Sequence, residues 1–304
     1  MIWSLPIFEE TYFGLFVLGT AMAYAGVMII LMYSSRATAY VRYLQDHLEE
    51  QKRQPRAVLA KPLSLKTWSK TYDVGADPHY IFLWSAATRG FSTIHAVVMV
   101  TTPLLLLWNY DLVDLWEYHF YMFHPEGETI IANLNAFMLS YLLIDASYLI
   151  AHRIQLPANA ESDDNFIFAL LHHLVGAFGM LQFIQLKIMP FNCLYYSFTE
   201  ISTVPLNAAW LSIKMGWDKN RRVDIVYRVS AGLTWLLFFE VRIVGSIAVI
   251  AYLYFNLHHV MLLSPTICFL TVATNAIVIG LNYYWFYKLT LKALEIFNGH
   301  QKRD

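Results

Sequence analysis

From position 11 to position 35 the chain runs for 25 residues without a single charged side chain. About 20 mostly apolar residues are what a helix needs to cross the hydrocarbon core of a bilayer. In that medium the backbone must satisfy its own hydrogen bonds, so a spanning segment of this length is a helix. Six further stretches of similar character follow, near 80–108, 130–152, 166–186, 191–213, 230–255 and 263–287. Seven spanning helices are therefore expected, the fourth and fifth joined by a short turn around Lys187 and Pro190. The composition agrees: 58% of the 304 residues are hydrophobic and 14% charged, where a soluble domain is about a quarter charged.

Charge settles several negatives. Lys and Arg number 21 against 22 Asp and Glu, so no basic surplus exists to neutralise phosphates, and no nucleic-acid partner is expected. Cys193 and Cys268 cannot alone form a disulfide framework or a zinc site, and no metal site is expected. The first apolar run has no basic n-region or cleavage site and is too long for a signal peptide, so it is expected to be retained.

Positive charge also sets the orientation. With the N-terminus outside, the inner segments hold eight, one, five and four Lys or Arg residues. That makes eighteen, against Lys187 alone on the outer side. Glu9, Glu10, Asp111, Asp114, Glu117, Glu126 and Glu128 lie outside. The N-terminus is therefore placed outside and the C-terminus inside. Positions 36–78 form the one long polar segment, in which Val41, Leu44 and Leu48 at helical spacing suggest a short amphipathic helix continuing into a linker.

Ionisable and amide groups inside a membrane are costly and normally face a partner or a cavity. Arg89 and His95 lie in the second span. Asp145 and Tyr148 share a face of the third, and His172 and His173 are adjacent in the fourth. Glu200 and Asn207 lie in the fifth, Arg242 in the sixth and Asn282 in the seventh. The simplest arrangement satisfying them is a bundle around an inward-opening polar cavity. The structural alternative is that the arginines pair with Asp145, Glu200 or Glu240, and that Asn275 and Asn282 bond between helices. Adjacent helical residues point about 100° apart, so one histidine of the pair can face a cavity while the other bonds a neighbour. The outer His258 and His259 are expected in a solvated loop. The eleven histidines lack the repeated clusters of a diiron enzyme, and no lysine lies deep in the last span. No phosphate loop or nucleophile elbow is present either.

Several of these residues stand in a recognisable order. Arg89, Ser92 and His95 are followed by Tyr141 and Asp145, the His172–His173 pair, and Thr199, Glu200, Ser202, Thr203, Pro205, Asn207 and Trp210. Phe238, Phe239 and Arg242 come next, then Leu281, Asn282, Trp285 and Phe286. This order resembles the TRAM–LAG–CLN homology (TLC) domain across about 79–295, and it resembles the small TLC-domain-containing proteins more than ceramide synthases. The resemblance divides the chain into a first transmembrane helix (1–35), the cytosolic-side helix and linker (36–78), a six-helix TLC domain (79–295) and a polar tail (296–304). It implies an all-α membrane protein whose last six helices form a barrel.

The same resemblance implies a lipid-handling function: binding or sensing an acyl lipid and influencing membrane lipid composition. A cavity lined by Arg89, His95, Tyr148, Glu200, Asn207, Arg242 and Asn282 is expected. The alternative is a ceramide-synthase-like N-acyltransferase in sphingolipid metabolism. Its catalytic residues would be His172, His173 and Asp145, with acyl-CoA as co-substrate and no other cofactor. Leu174 to Phe178 after the histidine pair, and Ala209 in the Glu200–Trp210 string, depart from the acyltransferase pattern. A third reading is a non-catalytic subunit of a larger membrane complex. Membrane lipids are the expected partners, with a membrane protein or a second copy as further candidates. The resemblance points to the endoplasmic reticulum, and an inner mitochondrial membrane would show the same charge asymmetry.

Overall fold

A computed structural model of the chain describes residues 78–117, 119–155, 163–187, 189–216 and 224–301, with helical positions 26, 34 and 45 besides. The first apolar run, the amphipathic segment before position 78 and the last three residues of the tail lie outside the described residues. Ten α-helices follow in order: α1 (Pro78–Asn109), α2 (Leu112–Trp116), α3 (Phe120–Phe123), α4 (Pro125–Gln155), α5 (Asp163–Leu186), α6 (Pro190–Thr199), α7 (Thr203–Lys214), α8 (Asp224–Leu237), α9 (Gly245–Leu263) and α10 (Pro265–Gln301). There is no strand among the described residues. Among the described residues five helical stretches are long and apolar enough to cross a membrane: Thr88–Asn109, Pro125–Ala151, Phe166–Leu186, Asp224–Leu262 and Pro265–Leu294. The protein is an integral membrane protein.

The sequence-predicted span at 191–213 is not one continuous helix. It is interrupted by a 3₁₀ turn at Glu200–Ser202, which splits it into α6 and α7. The cause is local. Ser197, Thr199 and Ser202 each return a hydroxyl to a carbonyl three or four residues back, to Cys193, Tyr196 and Thr199 respectively, which competes with the helical ladder. Pro205 then has no N–H to offer the preceding turn. The next span is irregular too. A seven-residue π-helix, Phe238–Val244, joins α8 to α9. The Tyr195 hydroxyl donates to the Val241 carbonyl at 2.9 Å, supplying a partner where the widened turn departs from the α ladder.

Packing follows the chain only in part. α4 lies against α5, α5 against α10, α10 against α9, α8 against α7, and α7 against α1, while α1 also meets α4 and α6. The tight turn between α5 and α6 passes through Lys187 and Met189, both with positive φ, and Pro190 starts the new helix. Lys187 closes the corner with an ion pair to Glu128 at the start of α4. His258 and His259, expected in a loop, are still helical at the end of α9. Their rings lie 3.8 Å apart, and His119 approaches His259 at 5.4 Å.

Gly245 follows the π-helix directly, where a Cβ would stand 2.7 Å from Tyr195 Cε2. Gly245→Ala is expected to push Tyr195 off the Val241 carbonyl and destabilise by about 1–3 kcal/mol through overpacking. The readout is a lower thermal midpoint in detergent. Gly280→Ala, with nothing within 4 Å of the added carbon, is the control and should leave the midpoint unlowered.

Candidate functional site

The buried polar side chains do not meet in a single hollow. They are tied into four groups, each linking particular helices. Between α1 and α7, Arg89 Nη1 donates to Asn207 Oδ1 at 3.0 Å. Asn207 Nδ2 donates back to the Arg89 carbonyl and to Thr93 Oγ1 at 3.1 and 3.0 Å. The guanidinium lies 4.6 Å from the Trp210 ring centre. This is a clasp with both partners engaged.

A second group joins α4 and α5. Asp145 Oδ2 and His173 Nε2 stand 2.9 Å apart. Nearby, fully buried His95 stacks 3.7 Å from Tyr141, with its Nε2 3.2 Å from Met138 Sδ. A third group holds α6 to α10. Asn192 Nδ2 and the Tyr196 hydroxyl both donate to Asn275 Oδ1, at 3.1 and 2.7 Å, while Asn275 Nδ2 donates to the Thr271 carbonyl.

The fourth group is built on the two irregular turns. Arg242, on the π-helix, donates from Nε to Ser202 Oγ at 3.0 Å, from Nη1 to Asn282 Oδ1 at 3.3 Å, and from Nη2 to Glu200 Oε1 at 3.4 Å. Glu200 Oε2 accepts from Thr203 Oγ1 at 2.8 Å. The side chains of Arg242 and Glu200 are 8% and 12% exposed, so the charges are compensated inside the bundle rather than by water. An uncompensated buried charge would cost several kcal/mol.

A cleft runs beside this fourth group. Its walls include Met138 and Leu142 of α4, His172, Gly176, Gly179, Met180 and Phe183 of α5, Tyr196 and Thr199 of α6, and Thr274, Asn275, Val278 and Asn282 of α10. Glu200 and Arg242 lie at its edge. From His172 to Phe183 it extends about 16 Å along α5 at 1.5 Å per residue. Gly176 and Gly179 let the walls close in: a Cβ on them would stand 3.1 Å from Leu142 Cδ1 and from Thr274 Cγ2. The cleft is narrow. Its clear interior is about 40 Å³, room for about three waters at 10–15 Å³ each, within about 590 Å³ of space between atoms that includes its open side.

Of the sequence-predicted site residues, His172, Glu200, Arg242 and Asn282 line this cleft. Arg89 and Asn207 are held in the α1–α7 clasp, and His95 in its aromatic stack. Tyr148 is half-buried on α4, and neither it nor those three is among the lining residues. The histidine pair divides: His173 is bound to Asp145, while His172 faces the cleft with its Nδ1 buried and without a hydrogen-bond partner. Its ring packs edge-on to Trp285 at 4.9 Å. Sequence reasoning missed Gly176 and Gly179, Tyr196, and Tyr195 with Gly245. Nothing in an apolar run marks which tyrosine or glycine touches which neighbour.

A family model described as the TLC domain matches residues 85–291, more than half of the chain. The chain belongs to the TLC domain family. No curated protein and no solved structure matches it. The match takes in the interrupted span, the π-helix and every residue that lines the cleft, so the TLC domain contains the whole candidate site.

If Asp145 and His173 act as a pair, their removal is not additive. Asp145→Ala and His173→Ala should each lower the thermal midpoint, each leaving a buried polar partner unmatched at a cost of about 1–3 kcal/mol. The double variant should fall no further than the worse single. Strict additivity would show that the contact contributes nothing.

Proposed function

We propose that this TLC-domain protein holds the hydrocarbon tail of a membrane lipid in the cleft along α5 and through that binding influences membrane lipid composition. The observation that carries the reading is the cleft's polarity. The charged pair Glu200 and Arg242 gathers at one end with His172 and Asn282, and Met138, Met180 and Phe183 lie beyond them beside the uncharged Gln182 and Thr274. Between the ends, the Leu142 and Thr274 side chains pack directly against Gly176 and Gly179, so what separates them is movable side chain rather than backbone. A tail enters by displacing side chains, and the unbranched Met138 and Met180 are suited to yield. In this reading the first apolar run is a seventh span, the last six close into a barrel, and the N-terminus is outside. The polar end of the cleft then faces the positive, inner side.

A second reading has one specific observation in its favour. His172 lines the cleft and its buried Nδ1 makes no hydrogen bond, and an N-acyltransferase would keep a base at such a residue. The amine nitrogen would bond to the thioester carbonyl as the C–S bond breaks. The imidazole would take the amine proton and pass it to the departing thiolate. Against this, the carboxylate that would orient an imidazole, Asp145, is bound to His173 rather than His172. That division supports binding without chemistry, and with it a kinship nearer the small TLC-domain-containing proteins than ceramide synthases.

Native mass spectrometry of the full chain released from detergent tests this directly. A retained acyl lipid, about one per chain, is expected, and Gly176→Leu with Gly179→Leu should lower its occupancy at least about tenfold, ~1.4 kcal/mol in affinity. Equal occupancy in wild type and the double variant would contradict tail binding in this cleft. Incubation with acyl-CoA and a long-chain amine should give no product that depends on His172. Product abolished by His172→Ala would favour the transferase reading.

A further inference from the structure

The charges around the cleft restrict what can be attached to a tail lying in it. Among the described residues of its lining, Glu200 and Arg242 are those that carry formal charge, and each is directed at the other, 3.4 Å apart. Arg242 also donates from Nε to Ser202 and from Nη1 to Asn282, three of its five N–H groups being engaged in all, and the second oxygen of Glu200 accepts from Thr203. The neighbouring carboxylate, Asp145, lies off the lining and is occupied by His173. The cleft is thus electrically balanced before any ligand arrives.

A carboxylate or phosphate head would share Arg242 with Glu200 and leave two buried negative groups against one positive. An ammonium would do the reverse. Either addition strands a charge in a low-dielectric site. What the cleft does offer is neutral hydrogen bonding. His172 lines the space, its Nδ1 buried and unpartnered, and Thr199 and Asn282 line it at the same end. A hydroxyl, ester or amide satisfies such groups without disturbing the ion pair.

We infer that the ligand of this cleft is a lipid whose buried polar part is uncharged: a hydroxyl, ester or amide next to a single hydrocarbon tail, rather than a fatty acid, a phosphate or an amine. The inference rests on the reading that the cleft holds a tail, and adds the chemical class of the head. His172 is the hydrogen-bonding partner. Balanced Arg242 and Glu200 act as the filter that turns away charge of either sign.

The test offers the full-length, delipidated protein in detergent an equimolar mixture of monopalmitoylglycerol, palmitate and hexadecylamine, which share a tail and differ in head, and reads the bound species by native mass spectrometry. Monopalmitoylglycerol is expected to exceed each of the others by at least about tenfold. Glu200→Gln frees Arg242 and should move the preference toward palmitate. Arg242→Gln frees Glu200 and should move it toward hexadecylamine, so one well-folded variant of the two suffices. Wild type preferring palmitate or hexadecylamine, or a folded variant with an unmoved preference, overturns the inference while leaving tail binding intact. Binding of none of the three overturns both.

Discussion

A guanidinium buried among membrane-spanning helices has to be matched where it lies, and much of the irregular geometry of this bundle serves Arg242. Its three partners come from two other segments: Ser202 and Glu200 from the 3₁₀ turn, and Asn282 from α10. A regular helix through 190–214 would orient residues 200 and 202 about 200° apart around its axis. The 3₁₀ turn instead presents both toward the arginine. The π-helix alters the facing of Arg242 in turn, and Tyr195 supplies a hydroxyl to the Val241 carbonyl within it. Gly245 is needed so that the Tyr195 ring can reach. Breaks in two spans, one tyrosine and one glycine thus meet around one buried charge. A buried ion pair of this kind is weak evidence for net stability; here it fixes the relative placement of three helices.

The same pairing shapes the proposed function. Because Arg242 and Glu200 neutralise one another, the cleft beside them has polarity without net charge, and because Asp145 engages His173, His172 is left to face the cleft. A hydrocarbon tail gains by burial against Leu142, Met180, Phe183 and Val278 at roughly 0.8 kcal/mol per methylene removed from water. Relative to the bilayer, however, that gain vanishes, since lipid tails are equally apolar. Selection must therefore come from the polar end. This is why the head group, more than the tail, decides what such a site retains.

Much of this was legible in the sequence. Long uncharged runs named the spanning helices, and the ordered polar residues named the family. The 100° offset between helical neighbours anticipated that His172 and His173 would divide their tasks. Other features were not legible. The run at 191–213 reads as one span because hydropathy is blind to the hydroxyls of Ser197, Thr199 and Ser202 returning to the backbone. The π-helix leaves no mark in Phe238–Val244. Arg89, His95 and Asn207 looked like cavity groups, because depth in the membrane can be counted along a helix while rotation about its axis, and hence the partner, cannot. The widths set by Gly176 and Gly179 depend on how closely α4 and α10 approach α5, which no single segment encodes.

The central claim, that a lipid tail occupies the lane between α4, α5 and α10, is tested most directly by an experimental density map of the full chain in lipid nanodiscs. The account predicts a continuous, tail-like feature running from His172 past Gly176 and Gly179 toward Phe183, with Arg242 still paired to Glu200. A map in which Leu142 and Thr274 stay packed against the glycines as they are here, with no more than isolated waters in the cleft, would contradict it.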